Sequence, residues 1–221
     1  MLTKYLEYKN YNITSVEPGN FADYIDKLRK LLKNKLNIHT TTVEKYYTSE
    51  KYDFIFSMNV LEHTQDIKKH IQSCMRLLKD KNSLLFIQCP NYTFPFEPHF
   101  YKWFIPFFPQ ITFKYLRKKS LIKILGKKEY KNIINNLNFD CTYAYINKLN
   151  LPIKFINPIT DIFDRLNNDA TFRQRLCNNF IVKICYQLIN FLRIKKLLIS
   201  VFPKFLCPYL IMEIRKKVWL N

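Results

Sequence analysis

Apolar and polar positions alternate between two periods along the first hundred residues. Lys4–Tyr8 reads as the tail of a helix, and Lys9–Asn12 as a polar turn. Ile13–Glu17 is a short β-branched run stopped by Pro18-Gly19, which predicts a strand ending in a turn. From Phe21 the positions Phe21, Ile25, Leu28, Leu31, Leu32 and Leu36 recur at helical spacing. Asn37–Val43 predicts a second short strand. Tyr52–Ser57 is a continuous apolar run with a polar end, the pattern of a strand buried on both faces. Asp66 then opens a helix with Ile67, Ile71, Cys74, Met75 and Leu78 on one face, and Ser83–Cys89 is another buried strand, cut off by Pro90.

Strand alternating with helix predicts a parallel sheet with crossover helices over residues 13–91. Beyond Pro90 the pattern breaks. Asn91–Phe113 is rich in proline and aromatics and predicts a long irregular loop, the kind that serves as a lid or binding loop. Leu121–Leu137 predicts a helix, Asn138–Ile146 a strand, and Ile162–Leu198 one or two helices. Leu210–Arg215 alternates like an edge strand closing the sheet. Three parts follow: a core over 1–91, an aromatic and proline-rich loop over 92–120, and the rest of the sheet with a helical, basic region over 121–221. The fold class expected is α/β: a Rossmann-like, mostly parallel sheet with flanking helices.

Composition changes the picture in three ways. Only two glycines occur, Gly19 and Gly126, so no complete P-loop or G-x-G-x-x-G fingerprint exists in the chain. The net charge is +19, of which residues 111–221 carry +15, and a basic half favours anionic partners such as nucleic acid, phospholipid headgroups or phosphorylated substrates. A chain rich in Lys, Asn, Ile, Tyr and Phe also carries the amino acids of A/T-rich codons, an alternative source of the charge. The six cysteines show no C-x-x-C pair and no metal-ligand spacing with the four histidines, which fits a reduced, cytoplasmic compartment. Phe180–Phe202, the most apolar stretch, is interrupted by Lys183, Gln187, Arg193, Lys195 and Lys196 and falls short of the ~20 apolar residues that span a bilayer.

Ligands of open parallel sheets sit beyond the carboxyl ends of the strands. Four such ends are readable here: Glu17, the Thr42–Glu44 region, Asn59–His63 and Pro90–Tyr92. An acid ending a strand can accept both hydroxyl protons of a ribose, or can simply be a solvated turn carboxylate. Glu62 and His63 fall over the same edge.

The run Asp53-Phe-Ile-Phe-Ser-Met-Asn-Val-Leu-Glu-His63, then Asp66, Arg76-Leu-Leu-Lys79 and Leu84–Asn91 resembles class I S-adenosylmethionine-dependent methyltransferases, closest to their small-molecule branch. Ile13–Gly19 is similar to that family's second strand. The resemblance implies S-adenosylmethionine as cofactor. It places Glu17 on the ribose, Thr42, Val43 and Glu44 around the adenine, and Asn59, Leu61, Glu62 and His63 along the methionine and donor side. Asn91, Tyr92, Glu97 and His99 would face the acceptor. His99 and His63 are the candidate general bases, a role that contributes about 10²–10⁴-fold. The family's first strand and glycine loop would precede the helix that ends near Tyr8, so the sheet is expected to be N-terminally incomplete, lacking a central strand beside those that hold Glu17 and Asn59.

The acceptor is narrowed by elimination. Cys89-Pro-Asn-Tyr92 does not match the N-P-P-Y-type tetrad of nucleobase amine methylation, and Cys89 ends a buried strand rather than following a proline. An oxygen of a small or lipid-linked metabolite is the expected target, with nucleic acid less favoured. The loop Phe100–Pro109 and the basic C-terminal half suggest contact with an anionic membrane surface. An ordinary hydrophobic lid is the alternative. The rival to an enzyme is a non-catalytic scaffold that binds membrane or RNA through its basic, aromatic half.

Overall fold

The computed structural model describes residues 2–18, 27, 30, 37–97, 102–105, 108–177, 180–201, 203 and 206–216. The predicted helix over Phe21–Leu36 lies outside them apart from Lys27 and Lys30, which are helical. His99 lies outside them as well.

Two sheets carry the architecture. β1 (Ser15–Glu17) and β2 (Ile38–Thr40) form a parallel pair in which Glu17 stands opposite Thr40. β3 (Phe54–Met58), β4 (Leu84–Pro90), β7 (Ile153–Ile156) and β8 (Tyr209–Arg215) make a four-stranded sheet in the order β3-β4-β8-β7. β3 and β4 run parallel, whereas β8 is antiparallel to both β4 and β7. The fold is therefore mixed α/β, with parallel pairing where the two early crossovers lie.

The helix Ile67–Leu77 forms as the spacing predicts, capped by Asp66, whose carboxylate accepts from the Lys69 amide at 2.9 Å. It buries Ile67, His70, Ile71, Cys74 and Leu77. Together with Leu85 and Ile87 of β4 and Leu210, Met212 and Ile214 of β8, Ile67, Ile71 and Cys74 belong to a hydrophobic core that reaches as far as Ile146. The predicted helix over Leu121–Leu137 divides into Lys118–Leu125 and Lys127–Asn136. The break is at Gly126, whose φ of 84° is a conformation that only glycine adopts without strain.

Four expectations are corrected. β3 is not buried on both faces: Ile55 and Ser57 lie on its inner face, while Phe54, Phe56 and Met58 are exposed on the other, which no described element covers. β8 is not an edge strand but an interior one, and the burial of Leu210, Ile211, Met212 and Ile214 on both faces reflects neighbours on either side. Asn138–Ile146 is not a strand. Asn138 folds back, its amide donating to the Glu62 carbonyl, and Thr142 caps a short helix, Tyr143–Asn147, through its hydroxyl. The outer strand is Ile153–Ile156 instead. Finally, the irregular loop after Pro90 contains a small hairpin, β5 (Phe96–Glu97) against β6 (Lys102–Trp103), and a helical turn at Pro109–Ile111.

Candidate functional site

The carboxyl ends of β1 to β4 each deliver one group of candidate residues. Glu17 ends β1 half-buried, and that burial raises the pKa of its carboxyl above the ordinary value. A carboxylate short of solvent beside a strand end is suited to accept the two hydroxyls of a ribose.

Beyond β2 the chain turns through Thr42, Val43 and Glu44, where the Lys45 and Tyr46 amides donate to the Thr42 and Val43 carbonyls at 3.0 and 3.3 Å. This turn is fastened to the helix Ile67–Leu77 at three points. His70 Nδ1 lies 3.1 Å from Glu44 Oε1, Arg76 donates to the Tyr46 carbonyl at 2.8 Å, and the Arg76 guanidinium stands over the Tyr47 ring at 5.0 Å. Glu44 is thus committed to His70, whose hydrogen bond holds the carboxyl down at about 2.

The other imidazole nitrogen, His70 Nε2, faces Ser57 Oγ at 3.4 Å and Cys74 Sγ at 3.8 Å. Hydroxyl, imidazole and carboxylate therefore line up. The line does not make a free base, however. Burial alone would lower the His70 pKa, but the contacts with Cys74 and Glu44 outweigh it and raise the value to about 9. At neutral pH the imidazole keeps its proton and acts as a cation under the Glu44 turn.

Beyond β3, Asn59 adopts a left-handed backbone, φ 54°, a region that asparagine enters more easily than most residues. Its amide donates to the Gln88 carbonyl at 2.9 Å, which continues the β3–β4 ladder by one residue. The reversal leads into a 3₁₀ turn, Leu61–His63, in which Leu61 and Glu62 are fully buried while His63 is exposed. Of the two candidate bases, His63 is thus described and open to solvent.

Past β4 the described acceptor-side residues, Asn91, Tyr92 and Glu97, are buried and engaged with protein groups. Asn91 Nδ2 donates to the Cys207 carbonyl at 2.8 Å, and its Oδ1 accepts from the Thr93 and Tyr143 amides at 3.1 and 3.4 Å. Tyr92 donates its hydroxyl to Glu97 Oε1 at 3.2 Å, and its ring lies 4.9 Å from that of Phe139. Burial raises the Tyr92 pKa far above the usual phenol range, and the neighbouring Glu97 and Glu62 carboxylates push it further. Both carboxylates are fully buried, so Glu62 and Glu97 share one enclosed polar cluster around Tyr92.

Sequence reading missed His70, Arg76 and Ser57. The signal for His70 was present: it sits three residues after Ile67 and four before Cys74, so it falls on the helix's buried face. S-adenosylmethionine offers a ribose diol, an adenine, a zwitterionic amino acid end and a cationic sulfur. Glu17 fits the first of these, and the pinned turn after β2 stands opposite Glu17's strand end, where the second would lie.

A family model described as a methyltransferase domain matches residues 1–142. An uncharacterized protein of Mycobacterium tuberculosis (strain H37Rv) is 32% identical over 105 residues, 45% of this chain and 36% of that protein. The chain thus spans about a third of the length of this curated relative. A highly reducing polyketide synthase of Aspergillus terreus is 28% identical over 88 residues, covering 38% of this chain and 4% of the synthase. Among solved structures, the plantazolicin methyltransferase BamL in complex with a triazolic desmethylPZN analog and SAH aligns with a TM-score of 0.47 at 15% identity, covering 97% of this chain and 72% of that one. With the family model matching well over half of its length, the chain belongs to the methyltransferase domain family.

Proposed function

We propose that the chain binds S-adenosylmethionine across the ends of β1, β2 and β3 and takes part in methyl transfer to an oxygen of a small or lipid-linked metabolite. The observation that supports this most is the half-buried Glu17 carboxylate, set beside Thr40 at the end of a parallel pair and next to a turn held rigid from below. In this reading Glu17 accepts from both ribose hydroxyls, and Thr42 and Val43 flank the adenine. Glu44 acts through His70 by holding that turn. Asn59 presents backbone to the methionine end, and Leu61 walls the donor site.

S-adenosylmethionine supplies a methyl group on a positively charged sulfur, so the protein's main contribution is alignment, worth up to ~7–11 kcal/mol in well-oriented systems. Tyr92, Phe104, Phe113 and Phe139 pack on one another in the core, and in this reading they back the acceptor side. A hydroxyl acceptor gives up a proton, and His63 and His99 are the groups in this reading that take it. Asn91, Tyr92 and Glu97 shape the acceptor side from behind.

Calorimetric titration of S-adenosylhomocysteine into the chain tests the donor site. Saturable binding that disappears in Glu17→Ala is expected. A folded chain that gives no heat would overturn the donor-binding reading. The low glycine content favours a second reading, a scaffold without catalysis, and that outcome would leave the scaffold standing.

A further inference from the structure

Residues 98–128 contain eight Lys/Arg and no Asp/Glu. Within them, Pro109–Ile111 continues as a π-helical turn, Thr112–Leu116. This short helical run buries one side and on the other exposes large apolar residues beside Gln110 and Lys114. Pro109, Thr112 and Phe113 are buried, Phe113 stacked on Phe139 at 6.3 Å. On the outside, Ile111, Tyr115 and Leu116 are exposed, Tyr115 at 74% and Leu116 at 65%. Trp103 of β6 is half-exposed nearby in the chain, its inner edge against Phe96.

A helix facing water on one side normally carries polar residues there, whereas here three large apolar side chains share the outer face with Gln110 and Lys114, the mixture of apolar and basic groups that an interfacial helix carries. At about 1.5 Å per residue the run is roughly 12 Å long, well short of the ~30 Å hydrocarbon core, so it can lie in an interface but not cross one. Among the described residues, no helix is long and apolar enough to cross a membrane.

We propose that this outer face docks on the surface of an anionic phospholipid bilayer. Trp103, Ile111, Tyr115 and Leu116 enter the boundary between headgroups and acyl chains, and the exposed Lys114, Lys118 and Lys119 sit on lipid phosphates. Charge selects this occupant. A second copy of the chain would bring an equally cationic, acid-free surface against the first, whereas a bilayer offers acyl chains and anionic groups in adjacent layers. The docking goes beyond the proposed methyl transfer and its test does not pass through it: vesicle binding by a chain that transfers no methyl group would leave the docking intact.

The test is co-sedimentation of the 221-residue chain with vesicles of phosphatidylcholine alone and of phosphatidylcholine mixed with phosphatidylglycerol. Pelleting with the anionic vesicles at low salt, and not with the neutral ones, is expected. In a Trp219→Phe background Trp103 is the single indole, and its emission shifts to the blue on binding. Replacing Lys114, Lys118 and Lys119 together by glutamine lowers partitioning on the order of a hundredfold. The triple change Ile111→Ser, Tyr115→Ser, Leu116→Ser abolishes the Trp103 shift. The proposal is overturned if the chain stays in the supernatant with both vesicles, or if it pellets equally with both. It is also overturned if Trp103 emission does not move on binding, or if both folded variants bind like the parent, which would assign binding to another basic region. A dimer that the triple serine variant dissolves would make the face a contact between copies and overturn it too.

Discussion

His70 holds Glu44 across two elements, with Nδ1 of a buried imidazole 3.1 Å from Oε1 of a carboxylate that closes the turn after β2. The His70 pKa is raised from 6.5 to about 9 and the Glu44 pKa is lowered from 4.5 to about 2, so each group stabilises the fold on its own side of neutrality. The His70 contribution is complete below pH 6.5 and is lost as pH rises through about 9. The Glu44 contribution is complete above pH 4.5 and is lost as pH falls through about 2. Denaturation midpoints measured across this range are therefore expected to peak between pH 4.5 and 6.5 and to decline toward pH 9. His70→Gln removes the alkaline decline and costs about 1–3 kcal/mol at pH 6. An unchanged pH profile in that variant counts against the pairing.

Because Glu44 acts by fixing a turn, Glu44→Gln is expected to weaken S-adenosylhomocysteine binding modestly while Glu17→Ala abolishes it. Titration calorimetry on the two variants separates the roles. Equal losses would place Glu44 in direct contact with the ligand.

Asn59 has a left-handed backbone, which sets a ranking of substitutions. Asn59→Gly keeps thermal stability close to that of the parent. Asn59→Val costs roughly 1–2 kcal/mol, since a β-branched side chain resists φ near 54°. Thermal melts of the two variants check the order, and a valine variant as stable as the parent contradicts it.

Asn91 joins the end of β4 to the segment before β8 and to the start of the helix Tyr143–Asn147 through two side-chain hydrogen bonds, and a third fixes the local turn at the Thr93 amide. Asn91→Ala leaves the Cys207 carbonyl and two amides without those partners, and a loss of about 1–3 kcal/mol is expected in chemical denaturation. Asn91→Asp does not rescue it, because a carboxylate cannot donate to the Cys207 carbonyl.

Tyr92→Phe removes the hydroxyl that donates to Glu97 inside the core. The variant is expected to lose about 1–3 kcal/mol. In the parent, alkaline titration of the tyrosines followed by absorbance leaves the phenols shielded by burial, Tyr92 and Tyr209 among them, un-ionised until the chain unfolds. Early ionisation of every tyrosine in the folded chain would contradict the burial of Tyr92.

The early elements were legible because local signals agree there. Asp66 ahead of Ile67 and Ile71 announces both the cap and the buried face, and Pro18 and Pro90 mark where β1 and β4 run out. The later ones were not, because tertiary contacts decide them. Asn138 through Ile146 has the composition of a strand, but its backbone meets the Glu62 carbonyl and the Tyr92 amide instead of a ladder. β8 reads as an edge strand by alternation alone, and only its two partners make it interior. At the site, the residues at strand ends could be read from motif and position. The Glu44–His70 tie joins residues 26 apart, and no local pattern encodes a pairing at that distance.

β3 has a consequence for how the protein behaves in a tube. Among the described residues, its outward face presents Phe54, Phe56 and Met58 to solvent in alternation. An apolar stripe in water is a surface on which a like stripe from another molecule can pack. What opposes that is the +19 charge of the whole chain, a repulsion that salt screens within about 10 Å at 0.1 M. Purification and storage therefore turn on ionic strength: dilute buffer keeps the molecules apart, and added salt lets the exposed stripes meet.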